Sequence, residues 1–161
     1  MKDLLDKLSS YNVFNYLLPG VLFAVFVDAL TNLKVLQKDL VVGVFVYYFV
    51  GSVVSRVGSL LVEPALLKLK WVQYAPYASF VKASKVDPKI DLLSEQNNMY
   101  RTLIALFLTI AVVAAYDHMS AKLPFLSTAA PYVCIAILVG LYALAYRKQT
   151  AYVKQRVEAA Q

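Results

Sequence analysis

The sequence predicts an all-α polytopic membrane protein: four transmembrane helices arranged as two hairpins, with a small cytoplasmic helical segment between them. Three observations predict it. The chain of 161 residues is 60% hydrophobic and 16% charged, where a soluble domain carries roughly a quarter charged residues. The apolar residues gather into long runs, and about 20 residues of helix cross a bilayer. Lys and Arg gather in alternate connecting segments, the asymmetry that orients membrane proteins.

The first span is read over about 13–32. Ser9, Ser10 and Asn12 are candidate N-caps. Pro19 either bends this helix, because it lacks a backbone donor, or begins it after a short interfacial helix at 2–10. The second span covers 40–62 and is expected to end before Pro64. The third covers 100–116, with the core TLIALFLTIAVVAAY, and the fourth covers 130–146, with Pro131 in its first turn. Residues 63–99 form a connecting segment divided by Pro64, Pro76 and Pro88, with an amphipathic helix expected at 89–99. Residues 147–161 form a basic tail that would extend span four. The halves show no internal repeat, and the chain reads as a single domain.

Charge sets the expected orientation. The N-terminal segment, the central segment and the tail hold twelve Lys and Arg, whereas the two short loops hold Lys34, Lys38 and Lys122. Both termini and the centre are therefore expected on the cytoplasmic side of the membrane. Trp71, Tyr74, Tyr77, Tyr100, Tyr142 and Tyr146 fall near the same ends, where amphipathic rings favour the interface. The opening residues mix Lys2 and Lys7 with Asp3 and Asp6, so a retained cap is expected rather than a cleaved leader. The formal net charge of +6 fits membrane lipids as partners better than nucleic acid, because it lies in short segments beside apolar runs.

Span two carries the chemistry worth following. At about 100° per residue, Ser52, Arg56, Ser59 and Glu63 share one face, and Asn15 of span one lies at similar depth. Three readings of Arg56 stand side by side: it snorkels to headgroups, joins a structural polar network, or meets anions in a pore or lipid site. Gly51, Ser55 and Gly58 form a small-residue stripe that permits close helix approach. The stripe would serve packing within the chain and a homo-oligomer equally well. Lys68, Lys70, Trp71, Lys82, Lys85 and Lys89 are candidate docking residues for a cytoplasmic protein.

Neither a cofactor nor a metal site is expected. Cys134 is a lone apolar-run cysteine, and His118 has no partners at ligand spacing. Asp28 and Asp117 are read as outer-face carboxylates, with Lys34 and Lys38 near Asp28. The chain lacks HExxH, GxSxG, a P-loop and a dinucleotide fingerprint, so it is not expected to be an enzyme.

The run Tyr11-Asn12-Val13-Phe14-Asn15-Tyr16-Leu17-Leu18-Pro19-Gly20 resembles the opening of small four-span bacterial membrane proteins of antiphage defence systems, among them the Kiwa membrane subunit. The resemblance covers the first span and the four-span layout. It implies a homo-oligomeric inner-membrane protein that senses infection or disturbs the membrane, often with a cytoplasmic partner. The leading expectation is a sensor or scaffold that recruits such a partner. The alternative is a membrane-disrupting or pore-forming effector, and the third reading is a lipid-modifying enzyme.

Overall fold

A computed structural model describes residues 12–159. The candidate caps Ser9 and Ser10, Tyr11 and the interfacial helix at 2–10 lie outside the described residues. Five helices account for most of the described chain. We label them α1 (Val13–Leu30) and α2 (Leu40–Lys68), α3 (Tyr77–Val86), α4 (Lys89–Ser120) and α5 (Pro124–Glu158). No strand occurs among the described residues. The helices α1, α2, α4 and α5 are long and apolar enough to cross a membrane.

Three helix boundaries differ from the sequence reading. Helix α2 does not stop before Pro64 but runs on to Lys68. The amphipathic stretch 89–99 is no separate helix; it is the head of α4. Helix α5 begins at Pro124 rather than near 130 and passes through Pro131, while its continuation through the tail to Glu158 is as expected. At 1.5 Å per residue, α4 and α5 are about 48 and 52 Å long, well beyond a hydrocarbon core of about 30 Å.

Two prolines are accommodated in the same way. Val13–Leu17 in α1 and Gly58–Val62 in α2 are π-helical turns. Each is followed two residues later by a proline, Pro19 or Pro64. The residue before each proline bonds five positions back: Leu18 N–H to the Val13 carbonyl and Glu63 N–H to the Gly58 carbonyl. A proline ring clashes with the carbonyl four residues earlier in an α-helix. The wider turn moves that carbonyl aside, so each helix continues. Asp39 caps the start of α2, its Oδ1 accepting from Val42 N–H at 2.9 Å.

Side chains of α1, α2 and α4 build the core: Val27, Val54, Val62, Ala105, Leu106 and Ile110. Gly20 and Gly51 interlock at the α1–α2 crossing. A Cβ on Gly51 would overlap the Tyr16 carbonyl, and a Cβ on Gly20 would overlap the Tyr47 carbonyl. Gly58 lies against α4, where a Cβ would sit 3.2 Å from the Arg101 carbonyl oxygen. Ser55 is buried and accepts from Thr102 Oγ1 at 3.4 Å. The small-residue stripe thus serves contacts within the chain, Gly51 toward α1 and the other two toward α4. Helix α5 is the least buried of the four, and its contacts include the stacked rings of Phe49 and Tyr142.

Polar contacts tie the ends of the bundle. At one end, Asp117 of α4 accepts from the backbone and side chain of Asn32 at 3.1 and 2.9 Å, and Lys34 lies 3.5 Å from Asp28. At the other end stand the start of α1, the end of α2, the head of α4 and the tail of α5, and the candidate site is there.

Candidate functional site

Glu63 is the centre of this end. Its side chain is 8% exposed and holds two cations, Arg101 of α4 and Lys148 of α5. Arg101 Nη1 donates to Glu63 Oε2. Lys148 Nζ donates to Glu63 Oε1 at 2.7 Å, to the Ser59 carbonyl at 2.7 Å and to Ser59 Oγ at 2.9 Å. One carboxylate therefore clasps three helices. All three ammonium donors of Lys148 find oxygen, which offsets the desolvation of its charge. Arg101 Nε is buried without a hydrogen-bond partner among the described residues.

The rest of the α2 polar face is shared out differently. Arg56 Nη2 donates to the Tyr16 hydroxyl of α1 at 3.3 Å. Ser52 Oγ donates to the Phe49 carbonyl at 2.8 Å and meets the Tyr142 hydroxyl of α5 at 2.9 Å. Asn15 is buried within the π turn of α1. The side-chain bonds of Ser52, Arg56 and the Ser59–Glu63 pair run to different partners. Arg56 bonds to α1 while bordering a notch that Ser59 and Lys148 also line, Ser52 meets α5, and Ser59 and Glu63 join Lys148. The π turn explains the split: each of its residues advances the helix less than the α-helical 100°, so Glu63 is set back from the Arg56 face.

Sequence reasoning missed Arg101, Lys148, Tyr16 and Tyr142. A signal existed for two of them. Glu63 is the single acidic residue at the end of span two, and Arg101 and Lys148 are among the first cations beside spans three and four. Pairing the one anion with the nearest cations at the same end would have found them.

Beyond the clasp lies a platform made of the end of α2, residues 69–76, α3, the head of α4 and the tail of α5. Helix α2 closes with the Trp71 N–H bonded to the Leu66 carbonyl and the Lys70 N–H to the Leu67 carbonyl, each at 3.0 Å. This is a Schellman motif whose left-handed position is normally glycine. Here it is Lys70, with φ 56°. Lys68, Lys70, Trp71, Lys82, Lys85 and Lys89 are all exposed. Tyr77 of α3 stacks on Tyr152 of α5 at 6.0 Å. A cavity of about 640 Å³ opens among Tyr74, Tyr77, Phe80, Leu93, Asn97 and Tyr152. The Tyr74 phenol is pushed above its ordinary range, first by desolvation and then by the Glu63 carboxylate, with Arg101 pulling the other way.

Among the described residues no three His, Cys, Asp or Glu side chains gather as a metal ion would need, and Cys134 is exposed. No family model, curated protein or solved structure matches the chain.

Proposed function

We propose that the chain is an oligomeric, multi-pass protein of a bacterial inner membrane, a sensor or scaffold that recruits a soluble partner to its platform. The four apolar helices form two hairpins in this reading, with both termini and the platform in the cytoplasm. The count of basic residues supports that orientation. A role in antiphage defence rests on the resemblance of the opening run.

The observation that carries the docking role is the platform's construction. Six basic and aromatic side chains stand exposed on or beside the junction at which Glu63 ties α2, α4 and α5 through Arg101 and Lys148, with α3 joined to it by the Tyr77–Tyr152 stack. Trp71 is 80% exposed and Leu69 71%, and such rings beside cations suit an acidic protein face with an apolar centre. Lys70 holds a left-handed backbone that costs roughly 1 kcal/mol for a non-glycine residue, so the lysine stands where glycine would be more stable. A pore through one copy gains no support from the packing, because Val27, Val54, Ala105 and Leu106 fill the middle of α1, α2 and α4.

The test combines Lys68→Glu, Lys70→Glu and Trp71→Ala in the full chain, with crosslinked co-purification as the readout. The expected result is a soluble protein recovered with the wild type and lost, at equal membrane level, with the triple variant. Equal recovery removes the platform from the reading. Reporters at residue 80 and at the C-terminus should both be cytoplasmic; a periplasmic signal from either overturns the orientation.

A further inference from the structure

Among the described residues, Arg56 is a cation without a counter-ion. Its side-chain bond is to a neutral hydroxyl, that of Tyr16, and no carboxylate among the described residues lies within ion-pair distance of it. Glu63, which could have served, is already held by Arg101 and Lys148. Among the described residues, Glu63 thus neutralises Arg101 and Lys148 and leaves Arg56 unpaired by a carboxylate. A guanidinium beside apolar helices gains strongly from an anionic acceptor.

The geometry shows where such an acceptor would sit. Between α2 and α5 is a notch lined by Arg56, Ser59, Lys148, Gln149 and Tyr152, with a volume of about 20 Å³. That is room for one water or one anionic oxygen. The Arg56 guanidinium, the Gln149 amide and the Tyr152 phenol, each able to donate, line it, and the Lys148 ammonium, its own donors taken by Glu63 and Ser59, adds positive charge beside it. The notch also places Arg56 level with the point where α5 turns from apolar, through Ala145 and Tyr146, to basic, at Arg147 and Lys148. A hydrocarbon boundary would cross the bundle at that level, and lipid phosphates lie there.

We infer that the notch holds a phosphate oxygen of an anionic phospholipid headgroup, with Arg56 as its principal donor and Gln149 and Tyr152 as its rim. The inference rests on the membrane reading above. The surplus positive charge selects an anionic headgroup over a zwitterionic one, whose own ammonium would be repelled by Arg56 and Lys148. The lipid completes the α1–α2–α5 junction by neutralising Arg56, the cation there that meets no carboxylate among the described residues.

The full-length protein in neutral detergent, titrated with phosphatidylglycerol, phosphatidylcholine or inorganic phosphate, tests this by native mass spectrometry and thermal unfolding. Phosphatidylglycerol should bind about tenfold more tightly than phosphatidylcholine, as one charge-assisted hydrogen bond would give. Arg56→Gln should bring the two within about twofold, while Lys154→Gln keeps the preference. Should Arg56→Gln not fold, Arg56→Lys should reduce the preference by about threefold or more, because an ammonium lacks the planar fork. Equal binding of the two lipids by the wild type overturns the inference, as does an unchanged preference in either Arg56 variant. Stabilisation by inorganic phosphate equal to that by phosphatidylglycerol also overturns it, since the site would then take any anion. Alkaline carbonate extraction separates the two levels: release from membranes defeats the membrane reading, whereas a retained protein with no headgroup preference defeats the notch alone.

Discussion

Single residues decide how closely the helices approach. Gly51 and Gly20 lie where each helix touches the other's backbone, so a methyl group has nowhere to go. Gly51→Ala should separate α1 from α2 and destabilise the bundle by about 3 kcal/mol or more, beyond the usual range for overpacking because backbone cannot rotate away. Gly140 provides the contrast, since a Cβ there meets nothing within 4 Å. Gly140→Ala should be neutral, or stabilising by up to about 1 kcal/mol, because alanine is the better helix former. Thermal unfolding of both variants in one detergent checks the pair. Gly51 was legible in the sequence as a packing residue. Gly20 was not, because Pro19 beside it drew the reading toward a bend, and only the partner helix shows why the position is small.

At the scale of elements, the two π turns let prolines stand inside long helices and redirect the side chains beyond them. In α2 the turn carries one residue more than an α-helix would need over the same rise. Deleting Leu61 alone should return Pro64 to a clash with the carbonyl four residues before it and cost about 3 kcal/mol. Deleting Leu61 together with Pro64→Ala should restore a straight helix that presents Arg56 and Glu63 in their present directions, with stability within about 1 kcal/mol of wild type. Unfolding midpoints of the two variants measure the difference; equal loss in both would mean that the proline is not what the π turn accommodates. A helical projection at constant 100° per residue cannot register this turn. That is why the sequence reading grouped Arg56 with Glu63, while in the structure Arg56 bonds to α1 and Glu63 to α4 and α5.

Across the whole molecule, Glu63 is the point at which α2, α4 and α5 meet. Removing its charge leaves Arg101 and Lys148 facing each other in a partly buried site. Breaking a buried ion pair on one side typically costs about 3–5 kcal/mol. Glu63→Gln should therefore lower the unfolding midpoint sharply and open Arg101 and Lys148 to trypsin, with α5 detaching first because it is the least buried helix. Unchanged protease resistance would show that apolar packing alone holds α5. Under the proposed function, loss of the clasp should reduce recruitment to the platform before it reduces membrane association.

Apolar run length and the placement of charge determined, from the sequence alone, an all-helical chain with four helices able to cross a bilayer, because burying backbone and side chains in hydrocarbon depends on local composition. Which polar group meets which was decided only by the folded chain. Glu63 lies 38 residues from Arg101 and 85 from Lys148, and the direction it faces depends on a π turn imposed by a proline and on the crossing of two glycines. Pair geometry over such separations arises from how the helices dock, and no periodicity within one helix encodes it.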